Sequence, residues 1–464
     1  MSNKPISRRD FLKVTALAGI GAGLAACAPK QEATKEQPAA AVPTDKPAVQ
    51  EGVLLRYWAG WGGEGYQKCW DEIQALDGFK QILGNNTFEV KLSVGEEPML
   101  TAIAGGDPPD TGGNINYMGF MARGVLLPID SYVAASTESK PENFLEGVWN
   151  LGFYKGVQYG IPTQEDFLRY GLNYNLKLVQ EAGLDANNPP QTWDDLYAWH
   201  EKLTVKDSAG NIVRIGVNPY GAMGEGLWDT DGWMAPISWN WQWFDEKNGT
   251  FDLNNAKMAS VFGTLKKFVD LVGPDNLAAL YSAEGRDTWG GAYNVEAESM
   301  IIEGYWHPGE TAFSAPEISA QNRATWLPVP ADRKGTKAQL AGGHSWTIFK
   351  ESKKPDIMFK IGEFLNTKDP CTIIWNNQGW LPAVKSFLDS VDPSKYPGLD
   401  FYFMSAKETT EWHTPARCEI TSFVSNEYLS LKDQVNRNEM TPEQAAEEFQ
   451  KRVETEYTNQ GFKS

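Results

Sequence analysis

Leu54-Leu55-Arg56-Tyr57-Trp58 is a short apolar run that ends in the glycine-rich stretch Gly60 to Gly65, and it reads as a buried strand followed by a loop. Tyr66 to Leu83 then places Trp70, Ile73, Leu76, Phe79, Ile82 and Leu83 at helical spacing, closed by Gly84 and Asn85. Thr87 to Val94 returns to strand-like alternation. The same exchange recurs through Ile161, Tyr170 to Tyr174, a helix over Leu176 to Ala182, and Thr192 to Leu203 with Thr192 as N-cap. It continues through Val261 to Val272, Met300 to Ile302, Trp346 to Phe349 and Pro355 to Leu365. A last helix follows Thr441-Pro442-Glu443, with Phe449, Val453 and Tyr457 four residues apart. Alternating strands and helices predict an α/β fold with mainly parallel strands. The spacing shows no internal repeat and, beyond the N-terminal segment, no apolar run long enough for a membrane span.

The first residues follow another logic. Arg8 and Arg9 lie in Ser7 to Lys13, ahead of the apolar run Val14 to Ala26 and of Leu24-Ala25-Ala26-Cys27. A basic region, a short apolar region and small residues before a break point make an export signal, too short for a permanent membrane helix. The arginine pair resembles a twin-arginine signal, and the last four residues resemble a lipobox whose cysteine, Cys27, is lipidated after cleavage. An uncleaved anchor would place the same domain outside the membrane. Residues 1–26 are therefore read as signal and 27–51, rich in Ala, Pro, Gln, Glu, Lys and Thr, as a flexible tether.

The formal charge is −18, and cleavage removes Lys4, Arg8, Arg9 and Lys13 against Asp10, making it three units more negative. So acidic an exported domain is a poor match for nucleic-acid phosphates or anionic headgroups. With Cys27 assigned to lipid, Cys69, Cys371 and Cys418 are an odd remainder without a CxxC pair; one bridge is open, and buried free thiols fit better. His200, His307, His344 and His413 lie far apart, so neither a metal site nor a cofactor is expected.

Several phrases, in this order, resemble the extracellular solute-binding proteins of ABC importers, in the carbohydrate-binding family that includes maltose-binding protein. They are Ala104 to Asp110 (AGGDPPD), Gly124 to Asp130 (GVLLPID), Gly156 to Pro162 (GVQYGIP), Asn173-Tyr174-Asn175, Ala182-Gly183-Leu184 with Pro190 to Leu196 (PQTWDDL), and Gly342-Gly343 before Ile348. The resemblance covers most of residues 53–460. It implies the two-lobe periplasmic-binding-protein type II fold, hinge strands between the lobes, a ligand in the cleft, and closure that presents a bound form to the membrane permease. The expected lobes are 52–164 with 336–377, and 165–335 with 378–464.

The composition fits a sugar-binding cleft, with 18 tryptophans. A sugar ring offers C–H patches to a flat indole, and its hydroxyls suit carboxylates and amides. Trp306 ends Met300 to Trp306, matching a family phrase whose final aromatic stacks on sugar. By position in the family pattern, further ligand contacts are expected at Trp61 and Glu64 after the first strand, and at Asn114, Asn116 and Tyr117 after the Pro108-Pro109-Asp110 turn. The same comparison points to Glu165 and Asp166 at one crossover, and to His344 and Trp380 at the others. Trp228 and Trp412 are further candidates. The maltose-binding relative has tryptophan at the position of Asn114, followed by an Asp-Arg pair, so this chain departs from it there.

Ser238 to Phe244, SWNWQWF, alternates like a strand. The family comparison instead makes it a helix beginning near Asp231 to Pro236, in which Trp239 and Trp243 share a face and Trp241 points away, with one or two of these indoles in the second-lobe core and Trp233 facing the cleft. Two other readings stay open. A glycoside-active enzyme would also combine tryptophans with carboxylates, but Glu165 and Asp166 are neighbours pointing opposite ways on an extended chain, and no GxSxG or Cys/His pair is present. A binding protein for a peptide or cation remains open, since aromatics and carboxylates also cage ammonium groups. Phosphate ligands are disfavoured, because Arg169 is the one basic residue near the proposed cleft in sequence.

Overall fold

The structure, a computed structural model, describes residues 52–222, 227, 229–280 and 290–462; Arg8, Arg9, Cys27 and Trp228 lie outside them. Two apolar cores organise the chain. One gathers Leu55, Tyr57, Ile73, Phe79, Trp346 and Ile361, the other Leu172, Leu196, Ile215, Phe262, Met300 and Phe449.

The first core carries a parallel sheet ordered Thr87–Lys91, Leu54–Ala59, Thr111–Gly113. Its helical cover is broken where the sequence predicts one helix over Tyr66 to Leu83. Leu76 is extended at ψ 138°, dividing Glu64–Ala75 from Asp77–Leu83. The turn brings Phe79 edge-on to Phe88, 5.4 Å between ring centroids.

The second core packs on a five-stranded sheet ordered Asn322–Thr325, Gly171–Asn175, Glu298–Glu303, Ile212–Val217, Val205–Lys206. Here the expectation of mainly parallel strands fails. Glu298–Glu303 runs parallel to Ile212–Val217, but its other neighbour, Gly171–Asn175, is antiparallel to it and to Asn322–Thr325. A chain that crosses between cores enters the sheet from both ends, which mixes strand directions.

The crossovers are visible in two long strands, Gly160–Leu168 and Ala338–Thr347, which pair antiparallel with a register shift between Gly342 and His344. Ile161 and Trp346 belong to the first core, Leu340 and the following Leu172 to the second. Ala338–Thr347 therefore runs from the second core into the first, while Gly160–Leu168 stays in the first core as far as Phe167 and Leu168 and the chain enters the second at Tyr170 and Leu172. Trp380, Phe387 and Tyr402 pack into the first core, and Cys418, Tyr428 and Tyr457 into the second.

Thr192 and Thr441 each cap their helix through a full capping box, with Asp195 and Gln444 returning the hydrogen bond. Cys69, Cys371 and Cys418 are buried and unpaired, and burial pushes the Cys69 thiol up to about 12.

The tryptophan-rich stretch is a helix only as far as Trp239. The helix Met234–Trp239 stops at Asn240, whose φ of 54° is the left-handed conformation that asparagine tolerates at a helix end. Trp239, Trp241 and Trp243 nevertheless all enter the second core. Trp239 stacks on Trp193 at 5.4 Å, and the Trp241 indole N–H donates to the Asp252 carbonyl at 3.0 Å. Trp233, expected at the cleft, is buried there too, 5.0 Å from Tyr428.

Candidate functional site

Loops and strand ends from both halves of the chain converge on a cavity of about 350 Å³. Gly60, Trp61 and Gly62 follow the strand Leu54–Ala59, and Asn114 follows Thr111–Gly113. Glu165 and His344 come from the paired crossover strands, with Arg169 just beyond the first. Glu303 ends the strand Glu298–Glu303, and Trp306 and Glu310 lie on the helix Trp306–Ser314. Trp380 follows the helix Lys368–Gln378, and Asp231 completes the wall. Ligands of open α/β sheets bind in this kind of position, outside the carboxyl ends of the strands.

Three indoles make the apolar part of the wall. The rings of Trp61 and Trp380 are 5.2 Å apart, and Trp61 meets the His344 imidazole edge-on at 4.4 Å. The Trp306 ring folds over Gly304, where a Cβ would lie only 2.0 Å from it, so the pose requires glycine. Gly379, at φ 73°, lets its backbone approach Gly309 so closely that a Cβ on either would clash. That approach seats Trp380 against the helix Trp306–Ser314, and its indole N–H donates to Glu310 Oε1 at 2.7 Å.

The polar part is a buried charge network centred on Arg169. Arg169 Nη1 donates to Glu165 Oε1 at 2.7 Å and Oε2 at 2.8 Å, Nη2 pairs with Asp231, and the guanidinium lies 4.9 Å from the Trp306 ring centroid. His344 Nε2 is 3.3 Å from both Arg169 Nη2 and Glu165 Oε2. Burial alone would raise the Glu165 pKa, but Arg169 and His344 outweigh it and bring it down to about 2. Burial pushes Asp166 well above the usual range although its Oδ1 accepts the His344 backbone N–H at 2.6 Å. Glu310 is likewise held well above the usual range, by burial first and then by the Glu303 carboxylate. Glu303 Oε2 is 2.5 Å from His307 Nδ1. Glu310 Oε2, His344 Nδ1 and Arg169 Nε are buried and have no protein hydrogen-bond partner among the described residues.

A second cavity, about 340 Å³, shares Gly60 and Asn114 with the first and continues past Met99, Phe120, Leu227 and Leu429. Polar contacts bridge its two sides: Asn116 Nδ2 donates to Ser422 Oγ at 2.7 Å, and the Met118 N–H to Asp229 Oδ2 at 2.8 Å. Burial pushes Asp229 up to about 7.

Of the sequence-derived candidates, Trp61, Asn114, Glu165, Trp306, His344 and Trp380 come together around the first cavity. Asn116 lines the second. Glu64 is exposed at the start of its helix and lines neither. Tyr117 is buried with Phe120 and Met121, its hydroxyl accepting the Asn114 N–H at 3.0 Å. Asp166 points into the strand pair, Trp233 into the second core, and Trp412 is 51% exposed. Asp231, Glu303 and Glu310 were not foreseen, and Arg169 only as a nearby charge. Glu310 had a legible signal, standing four residues after Trp306 and so on the same helical face.

Among the described residues no group of three or more His, Cys, Asp or Glu is arranged to hold a metal ion, and no helix is long and apolar enough to cross a membrane. The fold is the two-lobe fold of the periplasmic binding proteins, and residues 85–370 match the model of the bacterial extracellular solute-binding proteins. The chain belongs to that family.

Solved structures agree on the fold. CpMnBP1 with mannotriose bound superposes at a TM-score of 0.72 with 22% identity, covering 86% of this chain and 99% of that one. Lmo0181 of Listeria monocytogenes, in complex with cycloalternan, gives 0.69 and 20%, covering 89% and 100%. The maltotriose-bound maltose/maltodextrin-binding domain MalE of Bdellovibrio bacteriovorus gives 0.66 and 17%, covering 87% and 100%. A putative binding protein of Brucella abortus strain 2308 is 23% identical over 270 residues, which are 57% of this chain and 60% of the relative's length.

Proposed function

We propose that this chain is the substrate-binding component of an ABC importer and captures a carbohydrate in the cavity between its two cores. The observation that carries this reading is one wall combining the indoles of Trp61, Trp306 and Trp380 with Glu165, Asp231, Glu303, Glu310, Asn114 and His344. Flat apolar planes suit the C–H faces of a pyranose, and fixed carboxylates, amide and imidazole suit its hydroxyls. The unpartnered Glu310 Oε2 and His344 Nδ1 give such hydroxyls something to bond. Oligosaccharides in CpMnBP1, the Listeria protein and the Bdellovibrio domain are consistent with the choice. Asn114, shared by both cavities, gives room for more than one sugar ring.

The ligand bridges the lobes and stabilises their closed arrangement, which a permease transmembrane subunit then receives. Arg8 and Arg9 direct export, Cys27 carries a lipid that tethers the domain to the outer face of the cell membrane, and residues 28–51 give it reach. The role is binding without turnover. Glu165, the carboxylate the sequence places at the crossover, is poorly suited as a glycosidase nucleophile, because both its oxygens accept from Arg169 Nη1. A thermal-shift screen of the purified protein against a carbohydrate library tests the reading: stabilisation with the sugar recovered intact supports it, and sugar cleavage overturns it.

A further inference from the structure

We infer that the carbohydrate carries a protonated amino group, held between Glu303 and Glu310; this rests on the carbohydrate reading and narrows it to amino sugars. The argument is one of charge matching. Two of the four carboxylates around the cavity, Glu165 and Asp231, are answered by the same guanidinium, that of Arg169. Glu303 and Glu310 are 6% and 2% exposed, line the same cavity, and have no Lys or Arg ion-pair partner among the described residues.

Their neighbours satisfy them in part. Glu303 has His307 on one oxygen, and Glu310 has the Trp380 indole on Oε1 while Oε2 has no protein partner. Buried carboxylates are retained where something matches their charge. A sugar hydroxyl can donate to Oε2 but brings no charge, so Glu310 stays in the protonated form in which burial and the Glu303 carboxylate hold it, whereas a cation between the two lets both carboxyls ionise. An ammonium group supplies up to three N–H donors and the charge together. The indoles of Trp61 and Trp380 beside it add a surface that also favours a cation.

The opposite wall keeps the ligand from being a bare polyamine. Arg169 stands over Trp306 with Glu165 and Asp231 already paired to it, and His344 Nδ1 and Arg169 Nε lack protein partners, so this end has no unpaired carboxylate for a second ammonium and offers its ring and guanidinium nitrogens to ligand oxygen. A ring with hydroxyls toward Arg169 and His344 and an amine toward Glu303 and Glu310 satisfies both walls.

Calorimetry at neutral pH on the wild-type protein decides the matter. The panel holds glucose, galactose and mannose units, single and as disaccharides, each paired with its 2-amino-2-deoxy counterpart, plus the N-acetylated forms and spermidine. The expected result is a free-amine sugar binding at least tenfold more tightly than its hydroxyl counterpart, about 1.4 kcal/mol. The Glu310→Gln variant should bring that ratio toward one. A hydroxyl sugar binding as tightly as its amine, or the acetylated form more tightly, overturns the ammonium assignment and leaves the carbohydrate reading intact. Spermidine as the tightest ligand, or no binding by any sugar, overturns both.

Discussion

The indole N–H of Trp380 donates to the buried carboxyl of Glu310 across 2.7 Å. The bond joins the turn after Lys368–Gln378 to the helix Trp306–Ser314, so one contact fixes both a flat apolar wall and the acid beside it. A wall assembled this way is held in place by the protein's own contacts, which would limit the ordering entropy that binding of the proposed ligand must overcome.

Trp306→Ala should weaken binding of the carbohydrate ligand by about 1.5 kcal/mol or more, roughly tenfold, from lost stacking and lost apolar contact. Titration calorimetry reads this directly. An unchanged dissociation constant would remove Trp306 from the site.

Arg169→Met leaves Glu165 and Asp231 buried without their cation, and should cost about 3–5 kcal/mol of unfolding free energy at neutral pH. Glu165 has its folded pKa lowered from 4.5 to about 2, so the stability it contributes is present above about 4.5 and lost as pH falls toward 2. Urea melts of both proteins should therefore converge through that acid window. A constant gap would contradict the assignment.

Glu298 has the opposite sign. Burial raises its pKa from 4.5 to about 8 although Oε1 accepts the Asn218 N–H, so the folded state loses stability as pH rises from about 4.5 to about 8. Glu298→Gln keeps the acceptor and removes the charge, and should flatten this decline in a series of melting temperatures.

Trp233→Ala should lower stability by about 3–5 kcal/mol, because the indole packs among Trp241, Trp243, Tyr428 and Phe449. Any folded variant should bind ligand with little change. Denaturation and calorimetry together separate this core tryptophan from those at the cavity.

Arg417 donates to the carbonyls of Asn150 at 2.6 Å and Leu151 at 3.3 Å, linking residues that flank the second and first cores. Arg417→Ala should shift the unliganded protein toward an open form, seen as a larger radius of gyration in small-angle scattering that ligand reverses. An unchanged radius would show that these bonds do not hold the halves together.

Much of the fold was legible in the sequence because local signals agreed with the packing. The helix Pro355–Leu365 and the capping boxes at Thr192 and Thr441 follow from residues adjacent in the chain. The break at Leu76 and the stop at Asn240 were not legible, since each depends on what the next segment packs against. The site divides the same way. Trp61, Asn114, Glu165, Trp306, His344 and Trp380 stand at positions the family pattern marks. Glu303 and Asp231 reach the cavity only because distant strands converge there, and the chain around them says nothing of what they will face. Trp233 shows the converse, an aromatic at a promising position whose indole is drawn into the second core.

The most direct measurement is a crystal structure of the protein with a carbohydrate that stabilises it in the thermal screen. The account predicts the sugar ring against Trp306, Trp61 and Trp380, with its polar groups bonded to Glu310 and His344. A sugar bound elsewhere, with that cavity holding only solvent, would contradict it.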